Sequence, residues 1–237
     1  MDNVLTLLGF GPEGWGGAIL RGVVVTVSLA LATLPLGLLV GFLVALAKQS
    51  REPSLRMAGN IYTTIFRGLP ELLTLFLVFY GAQIGIQAVI RLFDPGAAIE
   101  INSFVAGMVA LGAVFSAYAS ETFLSAFRAI PRGQYEGGYA IGLTDGQTMR
   151  LVILPQLIRI ALPGLGNLWM ALLKDTALVS VIGLADILRQ TGVAARVTKH
   201  AFLFFGVAAL LYLMLAILSS FVISAIEERT RRGEVKR

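Results

Sequence analysis

Residues Gly22 to Ala47 read GVVVTVSLALATLPLGLLVGFLVALA, without one charged side chain. A helix rises 1.5 Å per residue, so about 20 apolar residues cross a hydrocarbon core of roughly 30 Å, and uncharged runs of about 18 or more are candidate spans. The same test selects Leu72–Ile90, Ser103–Ser120 with its continuation to Phe127, and Ala201–Ile226. A shorter piece, Ile160–Leu173, is bounded by Arg159 and Lys174 and interrupted by Pro163-Gly164-Leu165-Gly166. It reads as a broken fourth helix. The expectation is an all-α integral membrane protein of one domain, residues 1–237, with five transmembrane helices. The spans fall near 22–47, 62–90, 103–127, 155–180 and 201–226, with a polar loop at 128–154. The alternating segments of about ten residues that build membrane barrels are absent.

Composition agrees. With 57% hydrophobic and 14% charged residues and a mean hydropathy of +0.81, the chain falls outside the soluble globular class. There is no cysteine, which excludes disulfides and thiolate metal sites. The single histidine, His200, has no carboxylate or His cluster at ligand spacing, so it reads as an interfacial residue and no metal is expected. Met1-Asp2-Asn3-Val4 lacks the basic start of a signal peptide, so the first apolar run is expected to remain as a span.

Charge sets the expected orientation. The net +5 comes from basic residues spread between helices, not gathered in a patch, so nucleic acid is not an expected partner. Lys48, Arg51, Arg56, Arg128, Arg132, Arg150, Arg229, Arg231, Arg232, Lys236 and Arg237 fall on one side. Arg21, Arg91, Arg189, Arg196 and Lys199 fall on the other, mixed with Asp2, Glu13, Asp94, Glu100 and Asp186. The positive-inside rule makes the first side cytoplasmic, with the N-terminus periplasmic and the C-terminus cytoplasmic.

The loop on that side contains Glu136-Gly137-Gly138-Tyr139-Ala140-Ile141-Gly142, followed by Val152-Ile153-Leu154-Pro155. Residues Gln134–Leu143 suit a short helix that Gly142 ends in the left-handed conformation. Thr144 and Asp145 suit the cap of a following helix that enters the membrane through Arg150 and Pro155. Small residues at Gly137, Gly138 and Ala140 leave backbone open to close approach by a partner, and Glu136 adds a fixed charge. A plain solvated connector would also satisfy these residues. The chain has no phosphate cradle of its own: Gly9 and Gly14 have the glycine spacing, but Trp15 stands where Lys is needed.

The segment resembles the motif E-A-A-x(3)-G-x(9)-I-x-L-P of bacterial ATP-binding-cassette (ABC) importer permeases. Glu136, Gly142, Leu154 and Pro155 match it, Val152 replaces Ile, and Gly137 and Gly138 replace the two alanines. Each Ala-to-Gly exchange costs roughly 1 kcal/mol of helix propensity. Phe66-Arg67-Gly68-Leu69-Pro70-Glu71-Leu72, Ser120-Glu121-Thr122-Phe123, Ala161-Leu162-Pro163-Gly164 and Lys174-Asp175-Thr176-Ala177-Leu178-Val179-Ser180 look like the polar amino-acid permeases, in order and spacing. Glu71 and the Gly164-x-Gly166-Asn167-x-Trp169 stretch are most similar to the histidine/lysine/arginine/ornithine permeases and their opine-uptake relatives.

The resemblance implies the type I ABC importer permease fold with a cytoplasmic coupling helix, in a bacterial inner membrane. It implies that the loop, with Glu136, Gly137, Gly138, Ala140, Gly142, Leu154 and Pro155, docks a separate ATPase. Two ATPase subunits carrying ATP and Mg, a second permease chain (identical or homologous) and a periplasmic substrate-binding protein would complete the complex. This chain would be no enzyme and bind no cofactor. The rival is a secondary transporter or channel acting without ATP; the inverted repeats or filter-like run common in such proteins are absent.

Ionisable groups inside spans cost about 2.5–3.5 kcal/mol at a helix centre, so they face protein or an aqueous path. Glu121, following Ser116, Tyr118 and Ser120, either lines that path for a cationic substrate or ties helices together, pairing with Arg67 or Lys174. Glu71 is either a substrate contact or a complement to a helix dipole. Asp175, Thr176 and Ser180 either meet a zwitterionic ligand or belong to a salt-bridged helix connection. Gly37-x3-Gly41 and Gly81-x3-Gly85 are expected helix-packing faces.

Overall fold

The computed structural model describes residues 4–94, 96 and 100–231, and the regular structure among them is entirely helical. A short α1 (Val4–Leu8) precedes α2 (Gly16–Gln49), followed by α3 (Pro53–Gly68), α4 (Glu71–Arg91) and α5 (Ser103–Ala129). The polar loop holds α6 (Arg132–Ala140) and the single turn α7 (Asp145–Thr148). Then come α8 (Leu154–Asp175), α9 (Ile187–Thr198) and α10 (Ala201–Arg231). Among the described residues, five helical stretches are long and apolar enough to cross a membrane: 16–49, 71–91, 103–129, 145–182 and 201–230. Asp2, Arg232, Lys236 and Arg237, which entered the charge count, lie outside the described residues.

α5 is the axis of the bundle, starting from a firm cap in which Asn102 Oδ1 accepts from Phe104 N at 2.8 Å and Val105 N at 3.3 Å. From Ala106 to Phe127 it is buried on most sides, while α4 and α10 stay largely open. α2 reaches it through a stripe of small residues, Ala30, Thr33, Gly37, Gly41 and Ala45, recurring every three or four positions. A Cβ on Gly37 would lie 2.5 Å from the Phe115 ring, and one on Gly41 2.9 Å from Ala119 Cβ. Lipid tails are as apolar as leucine, so helices in a membrane associate by such close backbone approach rather than by hydrophobic transfer. The second small-residue pair behaves otherwise: Gly81 and Gly85 have nothing within 4 Å.

Two expectations need correction. The segment from residue 62 does not run straight into the second span. Leu69 is extended (φ −90, ψ 143) because Pro70 excludes the helical region for the residue before it, so α3 ends at Gly68 and α4 begins at Glu71. The fourth helix is also not broken at Pro163-Gly164-Leu165-Gly166: α8 continues through all four. The glycines serve packing instead. A Cβ on Gly164 would lie 2.7 Å from Thr122 of α5, and one on Gly166 2.8 Å from Ile223 of α10. Departures from α geometry flank this stretch, as a π-helical turn at Met149–Ile153 and a 3-10 segment at Thr176–Ile182.

α9 was not expected. Asp186 caps it, accepting from Arg189 N at 2.9 Å, and Ile187, Thr191, Ala194 and Ala195 turn inward at helical spacing. Of these, Ala194 and Ala195 join Leu7, Ile19 and Phe204 in a second small core, where Trp15 meets Phe204 edge to face at 6.5 Å. Asp186 is fully buried, and Tyr212 of α10 donates to its Oδ2 at 3.3 Å.

Candidate functional site

Glu71, the first residue of α4, and Asp175, the last of α8, line one cavity of about 140 Å³. Its remaining wall comes from α5 (Leu111, Val114, Phe115, Tyr118) and α8 (Leu168, Ala171, Leu172). The helix break at Pro70 brings Glu71 here: α4 starts inside the bundle, and its first-turn carboxylate meets the favourable end of the helix dipole. The wall is mostly apolar with two carboxylates and a phenol, an arrangement that discriminates by charge. Ser120, Thr176 and Ser180 are not in this lining. Ser120 Oγ donates to Ala117 O at 2.7 Å within α5, and Thr176 Oγ1 donates to Leu173 O at 2.7 Å and also bonds the Tyr212 hydroxyl of α10. The Ser180 carbonyl accepts from Arg189 Nη1 at 3.2 Å.

Glu121 also lies outside that cavity. It borders a second, shallower one with Thr122, Ser125, Ile160 and Gly164, closer to the loop end of α5. Its Oε1 accepts from Lys48 Nζ at 2.5 Å and from Arg67 Nη1 at 3.3 Å. Of the two partners expected, Arg67 is engaged; the other is Lys48 rather than Lys174. Lys48 also donates to Thr63 Oγ1 at 3.1 Å. The Arg67 guanidinium stands 5.4 Å from the centre of the Tyr118 ring, which itself lines the first cavity. A cluster carrying two cations and one carboxylate thus underlies a chamber carrying two carboxylates, with Tyr118 between them.

The polar loop is a folded unit. Helix α6 holds Glu136, Gly137, Gly138 and Ala140, and Gly142 follows with φ +83, the left-handed conformation glycine adopts without strain. Thr144 and Gln147 form a reciprocal capping box at the start of α7. The two adjacent glycines differ in surroundings. A Cβ on Gly137 would meet nothing within 4 Å, whereas one on Gly138 would lie 2.7 Å from the buried Thr148 side chain. Ile141 and Tyr139 are exposed, and a hydrogen bond to Asp145 pushes the Tyr139 phenol above its ordinary range. Leu154 and Pro155 open α8 directly after the π-helical turn, so proline's missing N–H falls inside a continuous helical run, where the local winding departs from α geometry.

Tyr118 and the cation Lys48 are the members of these constellations that sequence reading missed. The signal for Tyr118 was its helical spacing from Leu111, Val114 and Phe115 on one face of α5. Among the described residues, no group of three or more His, Cys, Asp or Glu side chains could hold a metal ion.

Residues 37–232 match the family described as the binding-protein-dependent transport system inner membrane component. The chain belongs to that family. It is 39% identical over 229 residues to the octopine transport system permease protein of Rhizobium meliloti, covering 97% of each chain. It is 41% identical over 224 residues to the histidine/lysine/arginine/ornithine transport system permease protein of Salmonella typhimurium, covering 94% of this chain and 97% of the other. It superposes on a chain from the crystal structure of an amino acid ABC transporter with histidines, with a TM-score of 0.80, 30% identity and coverage of 97% and 99%. The chain is therefore a multi-pass membrane permease subunit of an ABC importer, and ATP hydrolysis is carried by separate ATPase subunits. The ATP-independent transporter is not favoured.

Proposed function

We propose that this permease carries basic amino acids or opines, and that Glu71 and Asp175 recognise the cationic end of the substrate. The single observation behind this reading is that both carboxylates line one cavity inside the bundle. Lysine, arginine and ornithine, named for one relative, are cations at neutral pH, and a chamber with two carboxylates favours a cation over a neutral side chain. Thr176, Ser180 and Ser120 act around this chamber by fixing backbone rather than by touching substrate. Glu121 holds its floor through Lys48 and Arg67.

The loop around Glu136 to Gly142, with Leu154 and Pro155, docks the ATPase on the cytoplasmic side within residues 128–154. The N-terminus is periplasmic and the C-terminus cytoplasmic. Two ATPases holding ATP and Mg, a second permease chain and a periplasmic binding protein complete the importer. When ATP draws the ATPases together, the loop moves α8 and opens the chamber alternately to each side.

Uptake by proteoliposomes holding the assembled complex, with ATP on the ATPase side, tests the proposal. Glu71→Gln and Asp175→Asn should lower arginine-class uptake at least about tenfold more than neutral amino-acid uptake, one lost charge contact being worth roughly 1.4 kcal/mol or more. Equal losses would remove the two carboxylates from substrate recognition. Uptake that persists without ATP would sink the importer reading itself.

A further inference from the structure

A third cavity, of about 440 Å³, lies between α2, α8 and α10. It runs from Val27, Leu173 and Leu215 at one end to Leu38, Leu162 and Ile226 at the other, with Trp169 on its wall. Among the described residues that line it, Ser219 carries the one hydroxyl, and Gly166 deepens its floor. From Leu215 to Ile226 the groove extends about 16 Å at 1.5 Å per residue, close to the depth of one leaflet of a roughly 30 Å core. Several lining side chains, among them Leu31, Leu218 and Val222, are exposed, so the groove opens toward lipid.

Charge at one mouth narrows the occupant. Arg159 precedes Leu162 by three residues and Arg229 follows Ile226 by three. Each arginine therefore sits one turn beyond the groove on the face that lines it, and both are exposed. Both lie at the end that carries the polar loop, where lipid headgroups meet water. Glu227 shares this rim, its Oε1 lying 3.9 Å from a Cβ placed on Gly166, so the rim's net charge is positive by one. A second permease helix has a better surface elsewhere: α4 presents Gly81 and Gly85 with nothing within 4 Å.

We propose that this groove holds an acyl chain of an anionic phospholipid from the loop-side leaflet, with its phosphate drawn to Arg159 and Arg229. The proposal rests only on membrane embedding and is independent of the substrate reading above.

Trp169 is the reporter. In the Trp15→Phe variant it is the sole tryptophan, since Trp15 and Trp169 are the two in the chain. The full chain, alone and assembled with its partner subunits, is placed in phosphatidylcholine nanodiscs with increasing fractions of phosphatidylglycerol brominated along its chains. Quenching of Trp169 should saturate at a fraction about fivefold or more below that needed with brominated phosphatidylcholine, each arginine near a surface being worth roughly 1 kcal/mol. Ser219→Phe, which fills the groove, should weaken quenching by both lipids. Arg159→Gln with Arg229→Gln, which leaves the groove intact, should bring phosphatidylglycerol to the phosphatidylcholine level. Quenching that tracks bulk lipid fraction equally for both headgroups overturns the proposal. So does loss of quenching in the assembled complex, which would place protein, not lipid, in the groove.

Discussion

Lys48 and Glu121 meet at 2.5 Å although seventy-three residues separate them. The lysine side chain is 7% exposed and the carboxylate 30%, so the pair ties the end of α2 to α5 in a largely dry setting. Gly59 of α3 allows this: a Cβ there would lie 2.7 Å from Lys48 Cγ. Removing the carboxylate charge leaves the buried Lys48 ammonium without its main acceptor, at a cost of about 1–3 kcal/mol. Glu121→Gln should therefore lower the thermal midpoint of the purified chain and reduce uptake of basic and neutral amino acids alike. Lys48→Met combined with Glu121→Leu should be less damaging than either single change. A stable Glu121→Gln variant that loses only arginine-class uptake would instead make Glu121 a substrate contact.

The glycines of the loop should respond in opposite directions. Gly137→Ala fills open space in α6 and should gain about 0.5–1 kcal/mol of helix propensity. Gly138→Ala forces a methyl against Thr148 and should loosen α6 from α7. Hydrogen exchange of residues 132–148 reads both, and equal protection in the two variants would contradict the packing argument.

Asp186 predicts a pH dependence. Burial raises its carboxyl from 3.8 to about 6, against the bonds from the Arg189 and Leu188 backbone and from Tyr212. Between those values the folded chain keeps a proton that the unfolded chain has lost. Stability therefore falls as pH rises from about 4 through about 6, by at most about 3 kcal/mol, and is flat above. Asp186→Asn keeps a good helix cap and should flatten that slope while raising the midpoint at neutral pH. Melting curves at acid and neutral pH measure it, and an unchanged slope would assign the dependence elsewhere.

Glu136→Arg should insert into the membrane normally but bind the ATPase weakly, because a reversed charge on an exposed helix alters docking without touching the core. Co-purification with the ATPase reads the effect. Full ATP-driven uptake by this variant would remove Glu136 from the docking surface.

Apolar run length located four of the five crossing helices, because lipid imposes one simple constraint on them, while the fourth in chain order showed only as the shorter run between Arg159 and Lys174. Cap chemistry located Thr144 and Gly142, where local geometry and residue type coincide. Pro163 was misleading for a physical reason: a proline and two glycines weaken an isolated helix, but Thr122 and Ile223 hold this one in place from neighbouring helices. Nor does spacing along the chain reveal that Lys48 lies beside Glu121, or that Glu71 and Asp175 share a chamber. Those relations depend on how α4 and α8 pack on α5. α9 was legible in principle from the Asp186 cap and the inward positions after it, but only three apolar residues, Ile187, Ala194 and Ala195, mark its buried face.

The π-helical turn at Met149–Ile153 inserts one residue beyond α-helical winding between the loop and α8. One residue corresponds to about 100° of rotation. The loop and the chamber at Asp175 are therefore linked by an angular offset as well as by distance, like a cam set on its shaft. A homologous chain with ordinary winding at this point would carry the same loop residues pointing a quarter-turn away, so matching residues alone would not make the two loops interchangeable.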